Sequence, residues 1–191
     1  MEDLETFYPT SKEEWRQWLQ ENHLTSTSIW LICFKKKSQK PTISWSEAVD
    51  EALCFGWIDS VRKSIDHESF IQFFSQRKPK STWSKINKDK VIELEEKGLM
   101  FDAGRACIEI AKQNGSWTIL DDIDLLILPE DLEDAFNQHP NANSNYHAFS
   151  KSTKKSILYW IKSAKRAETR EKRIKEVAEL ANQNLKPKQF R

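Results

Sequence analysis

The stretch from Ser44 to Arg77 constrains the fold most, because it combines a helix start, a helix stop and a hairpin pattern. Ser44 and Glu47 have the spacing of a capping box, and Gly56 can adopt the left-handed conformation that ends a helix. Apolar residues at helical spacing predict one buried stripe, formed by Trp45, Ala48, Val49, Ala52 and Leu53. The sequence therefore predicts a short helix that is followed directly by a strand.

Two β-prone runs follow Gly56 and flank a polar turn. The first starts at Trp57 and is predicted to carry Trp57, Val61 and Ile65 on one side. Residues 66–69 favour a turn, and residues 70–74, which are rich in aromatic side chains, read as the returning strand. These features predict an antiparallel hairpin.

The remaining chain alternates one buried strand with several helices. Residues 28–34 form a nearly continuous apolar run, typical of a strand buried on both faces. Helices are predicted at 11–22, 85–97, 102–114, 129–138 and 142–149, then after a cap at Ser152 and again from Thr169. The predicted fold class is α+β: a small, mostly antiparallel sheet of about three strands covered by helices, with an all-helical C-terminal part. Residues 1–115 are predicted to form the α+β domain and residues 116–191 a helical region packed on it.

The net charge of +1 hides an asymmetry along the chain. Residues 1–150 carry 17 Lys and Arg against 25 Asp and Glu, whereas residues 151–191 carry 13 against 4. A basic tail of this kind can bind nucleic acid, or it can pair with acidic residues of its own molecule. No nucleic-acid motif accompanies the charge, so the second interpretation is favoured and a nucleic-acid partner is not expected.

The cysteines and histidines give no sign of a metal centre or a cofactor. Cys33, Cys54 and Cys107 are far apart and have apolar neighbours, which predicts buried free thiols in a reducing compartment. The four histidines are scattered, and four glycines leave no room for a glycine-rich phosphate loop. With no signal peptide and no long apolar run, we expect a cytoplasmic protein without membrane insertion. No cofactor is predicted.

Four stretches resemble the YdeI or OmpD-associated family, which is also labelled bacteriocin-protection. They are residues 51–60 (EALCFGWIDS), 77–87 (RKPKSTWSKIN), 98–104 (GLMFDAG) and 150–174. They follow one another over nearly the whole chain. The resemblance implies a bacterial protein associated with protection against bacteriocins or envelope-active peptides, and by name with an outer-membrane porin. It supplies no catalytic residues that could be transferred to this chain.

One cluster of residues has the character of an anion site. If the hairpin pairs as predicted, Arg62 and Arg77 approach each other at its open end, and Asp59 orients one of them. The helix start at Ser84 adds free amide groups, and Trp83 supplies an aromatic face. The candidate site consists of Asp59, Arg62, Lys63, Arg77, Lys80, Trp83, Ser84 and Asn87. The competing interpretation makes Asp59 an ion-pair partner, Trp83 a core residue and Ser84 only a helix cap.

Three function classes remain open at this point. The first is a non-catalytic, stress-associated binding or interaction protein that takes a small anion (phosphate, nucleotide or carboxylate) and has a protein partner. The second is an enzyme that uses a carboxylate near the hairpin, with Asp59 and Glu51 facing one cleft, or Cys54 as a nucleophile. The helix C-terminus near Cys54 disfavours a thiolate. The third is nucleic-acid binding through the basic C-terminal helices. No catalytic motif supports the enzyme classes, so the first is favoured.

Overall fold

The computed structural model describes residues 5–191 and divides into two compact units, one reaching to Ile119 and one from Leu120 to Arg191. The first unit contains β1 (Thr6–Phe7), α1 (Lys12–Asn22), β2 (Ser28–Phe34), α2 (Trp45–Cys54), β3 (Trp57–Ser64), β4 (Ser69–Gln76), α3 (Lys85–Glu96) and α4 (Asp102–Gln113). The second contains α5 (Asp121–Asp124), α6 (Glu130–Asn137), α7 (Ala142–Ala148), α8 (Lys151–Lys162), α9 (Ala167–Asn182) and a short 3₁₀ turn at Lys188–Phe190. The predicted α+β class is confirmed.

The sheet has the strand order β1-β2-β4-β3 over the described residues. β2 pairs antiparallel with β4, and β3 pairs antiparallel with β4 as the predicted hairpin. The sheet is mixed because β1, a two-residue strand that the sequence did not predict, pairs parallel with β2. Four strands are therefore present instead of about three. An irregular register between Asp59 and Arg62 puts a bulge in β3.

Helices α1 to α4 and one face of the sheet enclose the core of the first unit. Its largest fully buried side chains include Trp15, Trp57, Phe74 and Trp83. The Ser44–Glu47 capping box of α2 is present in full, and α2 ends as predicted just before Gly56, whose φ is +74°. The start and the end of α2 therefore lie where the sequence predicted them.

Trp45, which was predicted to be buried, is on the surface, and so are Val61 and Ile65, which were predicted to share one side of the strand with the buried Trp57. Trp45, Val61 and Ile65 are 45%, 52% and 54% exposed. Trp45 is the first residue of α2, and its indole turns to Asp59, to which Nε1 donates a hydrogen bond of 2.8 Å. Val61 lies in the bulged part of β3, an edge strand that is buried only at its start. The alternation of apolar and polar residues could not show that β3 is exposed beyond its first residues.

The second unit has its own apolar core. It is formed by one stripe each of α8 and α9 together with α6 and α7, and it contains Leu132, Phe136, Tyr146, Ile157, Ile161 and Val177. Helix α8 begins at Lys151 because Ser150, not the predicted Ser152, accepts from the amide of Thr153. Helix α9 begins at Ala167, two residues before the predicted restart.

No helix in the part of the chain that is described is both long and apolar enough to span a membrane.

Candidate functional site

Three of the four stretches that carry the family resemblance meet around Gly56. The end of α2 is joined to the stretch before α4 because the amide of Phe101 donates to the carbonyl of Cys54, at 3.0 Å. The rings of Phe55 and Phe101 lie 4.2 Å apart. From the other side, the amide of Arg77 donates to the carbonyl of Gly56, at 2.9 Å. These contacts bring the three stretches to one place in the first unit.

Two glycines allow this close approach. A Cβ at Gly56 would lie 2.7 Å from Sγ of Cys107 and 3.0 Å from the carbonyl oxygen of Ala103. A Cβ at Gly104 would lie 2.4 Å from the carbonyl oxygen of Cys54. The first turn of α4 therefore packs directly on the backbone that follows α2, and only glycine fits at both contact points.

Arg77 is a buried cation at this junction. Arg77 is only 7% exposed. Its guanidinium carbon lies 3.8 Å from the centre of the Trp83 ring, in a cation–π stack. Nη1 donates to the carbonyl of Thr82, at 3.0 Å. Nε and Nη2, both buried, have no hydrogen-bond partner among the described residues, and neither has the indole nitrogen of Trp83.

Among residues 5–191, no carboxylate forms a salt bridge with Arg77. Burial lowers the pKa of Arg77 to about 10 and outweighs the opposite effects of Cys107 and Asp59. Burial also raises the pKa of the Cys107 thiol, so this group is uncharged at neutral pH. The carboxylate of Asp59 instead accepts from Trp45 at 2.8 Å and from Gln72 at 3.4 Å. The guanidinium is thus charged at neutral pH and has no ion-pair partner in the part of the chain that the structure describes.

A cavity of about 170 Å³ lies beside Arg77. Its walls include Leu24, Phe55 and Ala103, which are apolar, as well as Cys107 and His23. Nδ1 of His23 is held by the carbonyl of Leu19, at 2.8 Å, so that nitrogen carries the hydrogen. The cavity is open to solvent, and it combines the cationic residue Arg77 with apolar and polar wall residues, Gln76 among the latter.

Arg62 and Arg77 do not approach each other, contrary to the predicted geometry. Arg62 pairs with Gln72 in the middle of the hairpin, whereas Arg77 follows the end of β4, five residues further along. At about 3.4 Å per residue this places their backbones on the order of 17 Å apart. Nε of Arg62 donates to Gln72 at 3.2 Å, and its guanidinium covers Phe70. The open end of the hairpin therefore holds only one of the two arginines.

The other predicted site residues are separated in the same way. Asp59 bonds to Trp45 and Gln72 and does not orient an arginine by a hydrogen bond. Lys63 is exposed, and its ammonium lies 4.8 Å from the centre of the Trp30 ring. The structure thus places Asp59, Arg62 and Lys63 around the bulge and not beside Arg77.

The predicted site residues in the loop that follows Arg77 make mostly structural contacts. Trp83 is 1% exposed and forms the stacking surface described above. Ser84 caps α3 by accepting from the amide of Asn87, at 3.3 Å. Lys80 is exposed. Of the eight predicted residues, only Arg77 and Trp83 therefore form a joint buried arrangement.

The carboxylates and thiol of the enzyme hypothesis do not form a common cleft. Glu51 is fully buried, and its carboxylate contacts Nη1 of Arg16 at 2.5 Å and Nζ of Lys12 at 3.2 Å. Its contacts are separate from those of Asp59. Cys54 is fully buried too, and burial, followed by the charge of Glu51, raises its pKa to about 11. These groups have the surroundings of structural residues.

The basic C-terminal helices pair with acidic residues of the second unit. Salt bridges join Lys155 to Asp124 at 2.5 Å and Lys162 to Asp122 at 3.2 Å. Arg170 binds Asp131 through two hydrogen bonds, from Nε at 2.6 Å and from Nη2 at 2.8 Å. Three of the eight Lys and Arg residues on α8 and α9 are therefore paired with the acidic segment that precedes these helices in the chain.

The cavity includes residues that sequence reasoning did not connect with Arg77. His23, Leu24, Ala103 and Cys107 are at least 26 positions away from Arg77 along the chain. The one sequence signal that could have suggested their proximity is glycine at positions 56 and 104, because glycine is favoured where two backbone segments pack closely. Contacts of this separation depend on the tertiary fold and not on local spacing.

Two family models match the chain. Residues 126–184 match the model described as Bacteriocin-protection, YdeI or OmpD-Associated. The predicted resemblance is therefore confirmed, but for this part of the chain alone. No curated protein and no solved structure matches. Residues 7–107, more than half of the chain and the part that contains the Arg77 cavity, match a second model, and the chain therefore belongs to the family described as Domain of unknown function (DUF8412).

Proposed function

We propose that this chain is a non-catalytic binding protein of the bacteriocin-protection type that holds a small anion at Arg77. The observation that carries the proposal is the pair of unpartnered, buried nitrogens on the Arg77 guanidinium. The description of the model that matches residues 126–184 supplies the biological setting.

An unpaired buried guanidinium is costly for a folded protein. Leaving one buried donor without an acceptor costs roughly 1–3 kcal/mol, and more when the group is charged. Stacking on Trp83 recovers about 2 kcal/mol in a desolvated setting, and Thr82 satisfies one nitrogen. Nε and Nη2 remain without acceptors. Both nitrogens have almost no solvent-accessible surface, so the proposal requires the walls around Arg77 to move when an anion enters; an anion that reached them would satisfy both nitrogens and neutralise the charge.

An anion suits Arg77 better than a neutral ligand does. A guanidinium has only donors and stays protonated at neutral pH, even with its pKa lowered to about 10. Charge-assisted hydrogen bonds are roughly twice as strong as neutral ones. The neighbouring cavity of about 170 Å³ provides room for a small ligand.

The direct test is thermal unfolding in the presence of small anions. Acetate, phosphate and sulfate are compared with chloride at constant ionic strength, for the wild type and for Arg77→Gln. An anion at about 100 times its Kd stabilises the folded state by about 2.7 kcal/mol, which raises Tm by several degrees. Arg77→Gln is expected to lose this response because its side chain carries no charge. Arg105→Gln is the matched control, since Arg105 is exposed and pairs with Glu95.

The proposal is wrong if none of the anions raises Tm, or if Arg77→Gln responds as strongly as the control. A second measurement addresses the biological role. Susceptible bacteria that express the wild type are expected to survive bacteriocin challenge better than cells that express Arg77→Gln at the same level.

A further inference from the structure

We infer that the protein self-associates through the groove between α3 and α4, with a second copy of the same chain as the partner. This inference is independent of the anion site, because none of the residues that carry it lines the cavity beside Arg77. It is carried by exposed apolar side chains in the groove and by the arrangement of charges at the two ends of the groove.

Apolar side chains from both helices line the groove, which is open to solvent. Val91 and Ile92 line it from α3, Ile108 from α4 and Trp117 from the loop that follows α4. Val91 belongs to the core of the first unit, whereas Ile92 is 54% exposed. Exposed apolar side chains that adjoin one another mark contact sites for other proteins more often than isolated ones do.

Helices α3 and α4 run antiparallel along the two sides of the groove. Nε of Arg105, near the start of α4, donates to Glu95 at the end of α3, at 3.0 Å. At the opposite end, the ammonium groups of Lys88 and Lys112 lie 5.3 Å and 5.9 Å from the centre of the Trp117 ring. The groove therefore has one end beside the turn that joins the helices and the other end at Trp117.

The two ends of the groove have opposite net charges, counted over the charged residues that line it or lie over Trp117. The end beside the turn has two carboxylates and one guanidinium, a net charge of −1, and the other end has two ammonium groups and one carboxylate, a net charge of +1. The residues are Glu95, Glu96 and Arg105 at the first end, and Lys88, Glu109 and Lys112 at the second.

The charges of α3 oppose its own helix dipole. Its first turn has Lys85 and Lys88 and no acidic residue, and its last turn has Glu95 and Glu96 and no basic residue before the C-cap, Lys97. Anionic groups stabilise a helix at its N-terminus and cationic groups at its C-terminus, so the order in α3 is the unfavourable one. Departures from such a local rule are expected at functional sites. A partner helix of opposite direction would offset the cost.

A two-fold axis beside Ile92 makes this surface complementary to itself. Two α3 helices related by such an axis run antiparallel, so that residues after Ile92 in one copy face residues before Ile92 in the other. Glu96 lies one turn after Ile92, about 6 Å along the helix, and on the same face. The acidic end of each groove therefore meets the basic end of the other, and the two Ile92 side chains meet at the centre.

The test is sedimentation velocity of the full chain over a range of protein concentrations. We expect the chain of 22.5 kDa to form a dimer of twice that mass. Ile92→Asp places two carboxylates at the axis and is expected to raise the Kd of the dimer at least about tenfold. Because Ile92 is exposed, we expect this substitution to change the free energy of unfolding of the monomer only slightly.

Two charge reversals test the symmetry of the contact. Lys112→Glu and Glu96→Lys each bring like charges together at both ends, and each is expected to weaken dimerisation about tenfold. An equimolar mixture of these two variants is expected to form a mixed dimer about as tight as that of the wild type, because one copy then presents carboxylates and the other presents ammonium groups. Lys37→Glu, at an exposed position outside the groove, is the control for the change in net charge and is expected to dimerise as the wild type does.

Urea unfolding of each variant verifies that it is folded. The inference is wrong if the wild type stays monomeric at every concentration. It is also wrong if a dimer forms that tolerates Ile92→Asp, or if the mixture of charge variants associates no more tightly than either variant alone, since the dimer then uses another surface.

Discussion

Under the proposed function, the buried charge of Arg77, stacked on Trp83, lowers the stability of the ligand-free protein and favours binding of an anion. The stack of the guanidinium on the indole, 3.8 Å from its centre, holds the side chain in one orientation. That orientation leaves Nε and Nη2 without acceptors from residue 5 onwards. A fixed, unpaired donor edge contributes nothing to folding, but it does not have to be ordered when a ligand arrives.

The substitution Arg77→Met tests whether Arg77 serves anion binding or stabilises the fold. Methionine fills a similar volume and can pack on Trp83 through its sulfur, and it removes the buried charge. Replacing buried charge by apolar groups of similar volume is often neutral or stabilising by about 1–4 kcal/mol. We therefore expect the ligand-free variant to unfold at the same or a higher urea concentration than the wild type.

Arg77→Met is also expected to lose the rise in Tm that anions cause. A loss of more than about 2 kcal/mol in the free energy of unfolding, without ligand, would mean that Arg77 mainly holds the fold together. Glu51→Gln is a useful comparison. Glu51 is fully buried and paired with Arg16, so breaking that pair should cost about 3–5 kcal/mol.

At the scale of elements, the junction between α2 and α4 depends on Gly56. Its φ of +74° is costly for any other residue, about 1–2 kcal/mol, and an added Cβ would lie 2.7 Å from Sγ of Cys107. Overpacking of this kind adds about 1–3 kcal/mol. Gly56→Ala is therefore expected to lower the free energy of unfolding by about 2–5 kcal/mol, as measured by urea unfolding.

Gly98 and Gly115 provide matched controls for this substitution. Their φ values are +66° and +78°, close to that of Gly56, but a Cβ at either position would meet nothing within 4 Å. Alanine there should cost only the conformational part, about 1–2 kcal/mol. Equal losses at all three positions would show that the packing of α4 on Gly56 contributes nothing to stability.

Most elements could be predicted from the sequence because their signals are local. Ser44 with Glu47, and Ser84 before α3, mark helix starts that need no information from the rest of the chain. Strand β1 could not be predicted, because two residues have no periodicity and form a strand only by pairing with β2. The bulge in β3 was missed for a similar reason, and it explains why Arg62 and Val61 lie where alternation did not place them.

The residues of the candidate site could likewise be predicted only where the signal is local in the sequence. Arg77 and Trp83 were selected because a cation next to an aromatic residue is visible in the sequence, and the structure joins them. Arg62 was added on the assumption that the hairpin brings it to the open end, but the register places it opposite Gln72. His23 and Cys107 could not be selected, since their approach to Arg77 depends on how α1 and α4 pack.

At the scale of the whole molecule, the two units have separate cores. The buried residues of the first are supplied by α1 to α4 and the sheet, and those of the second by α5 to α9 and the segments that join them. Each unit matches its own family model over most of its length. Some of the charges follow the same division, because Lys155, Lys162 and Arg170 have acidic partners within the second unit.

This division predicts how isolated units behave. Residues 1–119 contain Arg77 and every residue of the cavity, so this fragment is expected to fold and to keep the anion-dependent rise in Tm. Residues 120–191 have a core of their own and are expected to give a helical circular dichroism spectrum with cooperative melting, but no response to anions. The Arg77→Gln version of the first fragment is the control. If the first fragment folds yet ignores the anions that stabilise the full chain, the binding site needs more than the cavity at Arg77, and the assignment of ligand binding to the first unit is wrong.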